Sequence, residues 1–264
     1  MNSSLLLPIA TLWQRELVRF VRQRSRIFGA LGQPLLFWLL LGAGFKPSFQ
    51  PAGMPAHIDY VEYFFPGTLL LILLFSSIFS NISVIEDRRE GFLQAVLVAP
   101  IYSPALALGK VLGGASLALL QALLFLMLAP LAGIPLSLGG LLAATAILAF
   151  LAIGITALGF AIAWRMESTQ GFHLVMNLFL IPLWLLSGAF FPAAGTRAPI
   201  SWLIAINPLT YGLSALRQSL YGAPASAAMS LPPFDFSLRV TLLSVLAALV
   251  LAVYSGRKLG SANS

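Results

Sequence analysis

The sequence predicts an all-α polytopic membrane protein with six transmembrane helices, an amphipathic interfacial helix ahead of them and a short cytoplasmic helix between the second and third spans. Composition is the first observation behind this. With 59% hydrophobic and 9% charged residues among 264, and a mean hydropathy of +0.94, a water-soluble fold would have little polar surface to present. The second is the set of apolar runs matching the roughly 20 residues needed to cross a bilayer. They fall at 27–45, 64–85, 104–130, 138–164, 171–191 and 237–256. The third is that most charge is gathered into a few islands between those runs. The chain reads as a single transmembrane domain over 1–264, with little left outside the spans for a soluble domain.

Residues 1–26 predict the interfacial helix. Ile9, Leu12, Trp13, Leu17, Phe20 and Val21 form one stripe, and Arg15, Arg19, Arg22 and Arg26 step along the opposite face. The apolar stripe would lie in the headgroup boundary, Trp13 at its usual depth, with the arginines turned to cytosol and lipid phosphate. Basic residues fix the orientation. Eleven of the fifteen (Arg15, Arg19, Arg22, Arg24, Arg26, Arg88, Arg89, Lys110, Arg165, Arg257 and Lys258) fall on one side, so both termini are expected in the cytoplasm. The net charge of +7 follows from this bias and from anionic lipid, without a nucleic-acid partner. Leu5 to Ala10 is too short an apolar core for a cleavable signal.

The island at 86–100 is the densest in charge. Glu86, Asp87, Arg88, Arg89 and Glu90 cannot sit in hydrocarbon, so they pin this segment to water. Gly91 is placed to end a helix, Phe92, Leu93, Val96 and Leu97 recur on one side of a short second helix, and Pro100 closes it. A soluble partner would be met here. The Gly109-Lys110 pair that follows is no phosphate loop, since Pro104 stands where the first glycine belongs and Val111 where the hydroxyl residue belongs.

Within the spans there is little chemistry. Ser76, Ser80 and Ser83 share a face of the second span, with Ser77 and Asn81 beside them, and His173, Asn177 and Trp184 mark the fifth. Both stripes suit either a translocation path or interhelical hydrogen bonding. His173 has no carboxylate or second histidine at helical spacing, so no metal site is expected. Gly109 and Gly113 have close-packing spacing, which 22 glycines make unremarkable by chance. The stretch 192–236 should be external and interfacial or re-entrant. Asn207 caps and Pro208 begins a helix there whose Leu209, Leu213, Leu216 and Leu220 share a face as far as Gly222, and 223–234 reads as a loop.

In four places the chain resembles the transmembrane subunits of bacterial type-2 ATP-binding cassette (ABC) exporters. They are the arginine-rich N-terminus running into Gln33-Pro34-Leu35; Glu86 through Leu93 with Ala99-Pro100; Leu186-Ser187-Gly188-Ala189-Phe190-Phe191-Pro192; and Asn207-Pro208-Leu209-Thr210-Tyr211 followed by Arg217. The family commonly has threonine where Phe92 stands. The resemblance implies a half-transporter of the bacterial inner membrane, a homodimer docked on two copies of a cytosolic ABC ATPase. That ATPase would bind ATP and Mg, this chain holding no cofactor and doing no covalent chemistry. Residues 86–100 would be the coupling helix, and Ser76, Ser80, Asn81, Asn177 and Trp184, on spans facing the dimer axis, would line the path. Apolar spans favour a drug-like or lipidic cargo over a lipid-linked glycan or polysaccharide. A secondary transporter would need charges at mid-span, and a membrane-embedded enzyme would need an acid, base or nucleophile constellation.

Overall fold

The computed structural model describes residues 3–45, 58–92, 103–192, 196–229 and 231–257. Nine α-helices fall among them and no strand. They are α1 (Ser3–Arg22), α2 (Arg24–Phe45), α3 (Tyr60–Arg89), α4 (Ser103–Leu126), α5 (Leu138–Ala163), α6 (Thr169–Trp184), α7 (Ile200–Ile206), α8 (Pro208–Ala228) and α9 (Phe234–Arg257).

The bundle is built around α3. Its apolar residues run all round the helix rather than along a stripe, and a helix of that kind belongs inside a bundle. From Tyr63 to Phe75 every residue is buried. Helices α2, α4, α5 and α6 surround it. α2 runs antiparallel to it, with Gly29 beside Phe79 at one end and Gly42 against Val61 at the other. The Trp38 indole N–H donates to the Val61 carbonyl at 3.1 Å, and its ring meets Phe65 and Phe125 edge-on. α4 is antiparallel too, since Phe125 stacks on Phe65 while Lys110 lies beside Asp87. α5 runs parallel: Thr156 lies beside Ser77 and Trp164 beside Arg88. α9 covers α5 from outside, Gly154 receiving Val245.

Thirty residues make α3 about 45 Å long, against a hydrocarbon core of about 30 Å, so its charged end projects from the apolar layer. Five helical segments are long and apolar enough to cross: Tyr60–Arg89, Pro104–Leu126, Leu138–Ala163, Thr169–Ala189 and Phe234–Gly256. The expected first span falls on α2, whose apolar stretch Leu31–Gly44 lies among the described residues.

Two breaks shape the end of the bundle away from the charges. α6 widens after Trp184 into one turn, Leu185–Ala189, in which Gly188 takes φ 82°. Asn207 accepts the Leu209 N–H at 3.0 Å and α8 begins at Pro208. Leu213, Leu216 and Leu220 are buried, and α8 packs against α5 and α9. The helix therefore enters the bundle. It also continues to Ala228, interrupted at Gly222 (φ 75°), where the sequence suggested a loop.

Close packing in the middle depends on glycine. A Cβ on Gly114 of α4 would overlap Ser80 Oγ and stand 2.8 Å from Thr156 Cγ2, whereas one on Gly139 would meet nothing. Gly114→Leu is expected to lower stability by about 1–3 kcal/mol or more, and Gly139→Ala to leave it level or raise it by up to about 1 kcal/mol. Thermal inactivation midpoints in detergent decide this, and equal midpoints for the two variants would refute the packing.

Candidate functional site

At the charged end, six charged side chains from three helices form one group, with Glu16, Asp87 and Lys110 buried at its centre. The Asp87 carboxylate, with 0% exposure, takes two hydrogen bonds from Arg15 (2.9 and 2.8 Å), one from Arg19 (2.6 Å) and one from Lys110 Nζ. Lys110, 2% exposed, also donates to Glu16 Oε1 at 2.8 Å, while Glu16 Oε2 accepts from Ser83 Oγ at 2.8 Å. Arg19 reaches Glu86 at 2.8 Å. Three carboxylates thus meet three cations with zero net charge. Removal from water is tolerated here because every charge faces an opposite one. The hydrogen bond to Asp87 raises the pKa of the Arg15 guanidinium above its ordinary value.

The sequence brings α1 to this place by a simple device. Leu12, Glu16 and Phe20, spaced by four, are its buried line. They rest on the glycine face of α4: a Cβ on Gly109 would stand 2.7 Å from Leu12 Cβ, and one on Gly113 2.7 Å from Glu16 Cβ. With no side chains between them, the helices approach closely enough for Glu16 to meet Lys110. The Trp13 indole donates to Ser116 at 3.0 Å. This corrects the interfacial expectation in part, since α1 is seated on α4, and Arg15 and Arg19 turn toward α3 rather than toward lipid phosphate. Arg22 is exposed, and the Arg26 side chain lies outside the described residues.

The remaining charges tie α3 to the α5–α6 connection. Arg88 donates to the carbonyls of Met166 (3.2 Å) and Trp164 and lies over the Trp164 ring at 5.4 Å, and Arg89 donates to the Glu167 carbonyl at 3.1 Å. Gly91, at φ 78°, ends the helix, and the Phe92 ring sits 3.8 Å beneath the Arg15 guanidinium. Glu90 is exposed and borders an open groove of about 600 Å³ with Gln14, Val18 and Arg22 of α1. Leu93, Leu97 and Pro100 lie outside the described residues.

Inside the bundle lie three of the expected path residues. Ser76, Ser80 and Asn81 are buried within the subunit. Asn81 donates to the carbonyls of Ser77 (2.8 Å) and Thr156 (3.2 Å), and Ser80 faces Gly114. Within this single chain Ser80 and Asn81 serve as packing groups between α3, α4 and α5. Asn177 is exposed on α6, among Leu174, Leu178 and Phe179. Trp184 is buried, its N–H on the Gly67 carbonyl at 2.8 Å, but its ring walls a half-open crevice of about 320 Å³ between α2 and α6. Phe37, Leu41, Leu71, Phe75 and Phe190 complete most of that wall, and Gln33 is its one polar side chain.

Glu16 and Lys110 were missed in sequence, though both carried a signal. Glu16 interrupts the Leu12-to-Phe20 line, and Lys110 stands next to Gly109 in an otherwise apolar run.

A helical bundle with five segments long and apolar enough to cross a bilayer defines a multi-pass membrane protein. The family model for the ABC-2 type transporter matches residues 8–221, and the chain belongs to that family, whose members normally work with an ATPase subunit. It is similar to two proteins bearing the name "Putative transport permease ycf38". One, from Cyanophora paradoxa, is 27% identical over 207 residues, 77% of this chain and 71% of that protein. The other, from Porphyra purpurea, is 23% identical over 212 residues, 79% and 72% of the two chains.

Loss of one partner from a buried ion cluster costs about 3–5 kcal/mol, whereas restoring charge balance recovers part of it. Lys110→Met is therefore expected to lower the thermal inactivation midpoint sharply, and Lys110→Met with Glu16→Gln to recover part of the loss. A double variant no better than the single one would show that charge balance does not hold the cluster.

Proposed function

We propose that this chain is the membrane-spanning half of an ATP-driven exporter of the bacterial inner membrane. Two copies pair and dock on two cytosolic ABC ATPase subunits, which bind ATP and Mg. The charged end is the cytoplasmic end, and residues 86–100 couple to the ATPase, with the groove beside α1 as a second contact. The cluster around Asp87 supports this, because it joins α1, α3 and α4 into one unit at the start of the coupling segment. A push received there moves three helices together.

The observation that carries the transport reading is the crevice between α2 and α6. It sits about 18 Å along α3 from Asp87, as the twelve residues from Phe75 dictate. Its walls suit an acyl chain or a flat apolar drug, and one amide gives a sugar few hydrogen-bond partners. The cargo is accordingly hydrophobic or amphipathic. The exposed face of α6 beside the crevice carries Asn177, a polar group costly to leave in lipid and better satisfied against a second copy.

Two measurements test these points. Leu93→Asp or Leu97→Asp should leave the chain inserted but abolish ATP-dependent transport, because a carboxylate buried at a docking surface costs several kcal/mol. Normal transport and normal co-purification with the ATPase in both variants would remove the coupling assignment. For the pairing, Asn177→Cys should cross-link to its own copy in membranes, and Ser80→Cys, enclosed by α4, should not. Cross-linking at Ser80, or only at the exposed Leu246 of α9, would reject this interface.

A further inference from the structure

The end of α3 remote from the charge cluster holds another buried cation, and no carboxylate pairs with it among the described residues. Arg217 of α8 is 4% exposed. Its Nη2 donates to the carbonyls of Gly188 (2.9 Å) and Tyr63 (3.4 Å), and the guanidinium carbon lies 4.2 Å from the Tyr63 ring centroid. Its Nε is buried with no acceptor among the described residues.

Local geometry explains why a cation can rest there. Gly188, with φ 82°, turns the chain out of the helix and leaves its carbonyl facing inward, where it also accepts the Tyr63 hydroxyl at 2.6 Å. The last carbonyls of a helix carry partial negative charge, so the end of α6 substitutes for a counter-ion. Two carbonyls and the Tyr63 side chain give a buried guanidinium less support than the carboxylates give the cations of the cluster at the other end.

The piece of chain held in this way borders the crevice. Phe190, two residues beyond Gly188, forms part of the crevice wall and packs edge-on against Phe64 (6.0 Å) and Tyr60 (6.4 Å). The Tyr60 hydroxyl donates to the Phe190 carbonyl at 3.2 Å. Where Gly188 is fixed, Phe190 is fixed.

We propose that Arg217 is the positioning residue of a latch that holds the broken end of α6 on α3 and so keeps Phe190 across the outward end of the crevice. Withdrawal of the guanidinium from the Gly188 and Tyr63 carbonyls frees Phe190 and opens the crevice away from the charged end. The role of the latch rests on reading the crevice as the cargo path.

The chain has no cysteine, so a single Leu185→Cys on the crevice wall reports opening directly. It is labelled in intact cells, in the full complex, with a membrane-impermeant maleimide added outside. Arg217→Met is expected to raise the labelling rate about tenfold, the effect of losing one charge-assisted hydrogen bond from a two-state closure. Arg217→Lys should recover part of the protection, since an ammonium reaches one carbonyl but cannot bridge two and stack. Tyr63→Phe, which removes one hydrogen bond and keeps the ring, should raise the rate by a smaller factor, and it decides the matter if Arg217→Met does not insert. An unchanged rate in the inserted variants overturns the latch. So does an equal rise at Ser77→Cys, buried on the α5 side of α3, which would report general loosening. The path reading fails separately: if a short-chain fluorescent phosphatidylethanolamine does not slow labelling of the opened Leu185→Cys in membrane vesicles, the latch stands and the crevice is not a lipid path.

Discussion

A carboxylate with no exposure to solvent, at the tip of the central helix, sets the arrangement of everything around it. Asp87 cannot be buried alone, and Arg15, Arg19 and Lys110 answer it from two other helices. Those three bring an excess of positive charge, which Glu16 and Glu86 cancel. Each member is there because another would otherwise be unpaired. The consequence is mechanical as well as electrostatic: α1 is attached through α4 and α3 to the bundle, while Arg88 and Arg89 attach the α5–α6 connection to the same helix end. Apolar contact alone would not give this placement. In a membrane, lipid tails satisfy leucine as well as another helix does, so the specific pairing must come from charge, hydrogen bonds and close glycine contacts.

Much of the fold was legible because the bilayer imposes a length and an exclusion rule. Apolar runs of about 20 residues mark crossings, and charge marks their ends. The Asn207-Pro208 helix start and the glycine stop at Gly91 were equally readable, being local backbone chemistry. The direction in which polar side chains point was not. α3 carries apolar residues on every side, so its stripe of small polar residues does not by itself distinguish a path from a packing surface, and Ser80 and Asn81 became readable only once Gly114 and Thr156 were seen against them. Arg15 and Arg19 failed for a related reason: an amphipathic pattern separates polar from apolar but does not tell water from a buried carboxylate.

Glycine spacing shows how context turns noise into signal. Gly109 and Gly113 are uninformative among 22 glycines, yet with Lys110 between them and Glu16 breaking an apolar line 94 residues earlier they describe one helix crossing. An intramembrane or juxtamembrane lysine requires a partner, and a search for the partner would have found the glycines. The crevice, by contrast, has no sequence signature. Its residues come from three helices, and all but Gln33 are ordinary apolar side chains.

The length of α3 gives these two ends a shared scale of movement. A helix of thirty residues is about 45 Å long and stiff, and this one has an anchor at each tip: Asp87 below, Tyr60 and Tyr63 above. Pivoting such a rod by about 5° about one tip carries the other through about 4 Å, more than the length of any hydrogen bond made at either end. A small tilt at one surface is therefore large enough to exchange partners at the opposite one, and no intermediate element has to change its own shape for the displacement to arrive.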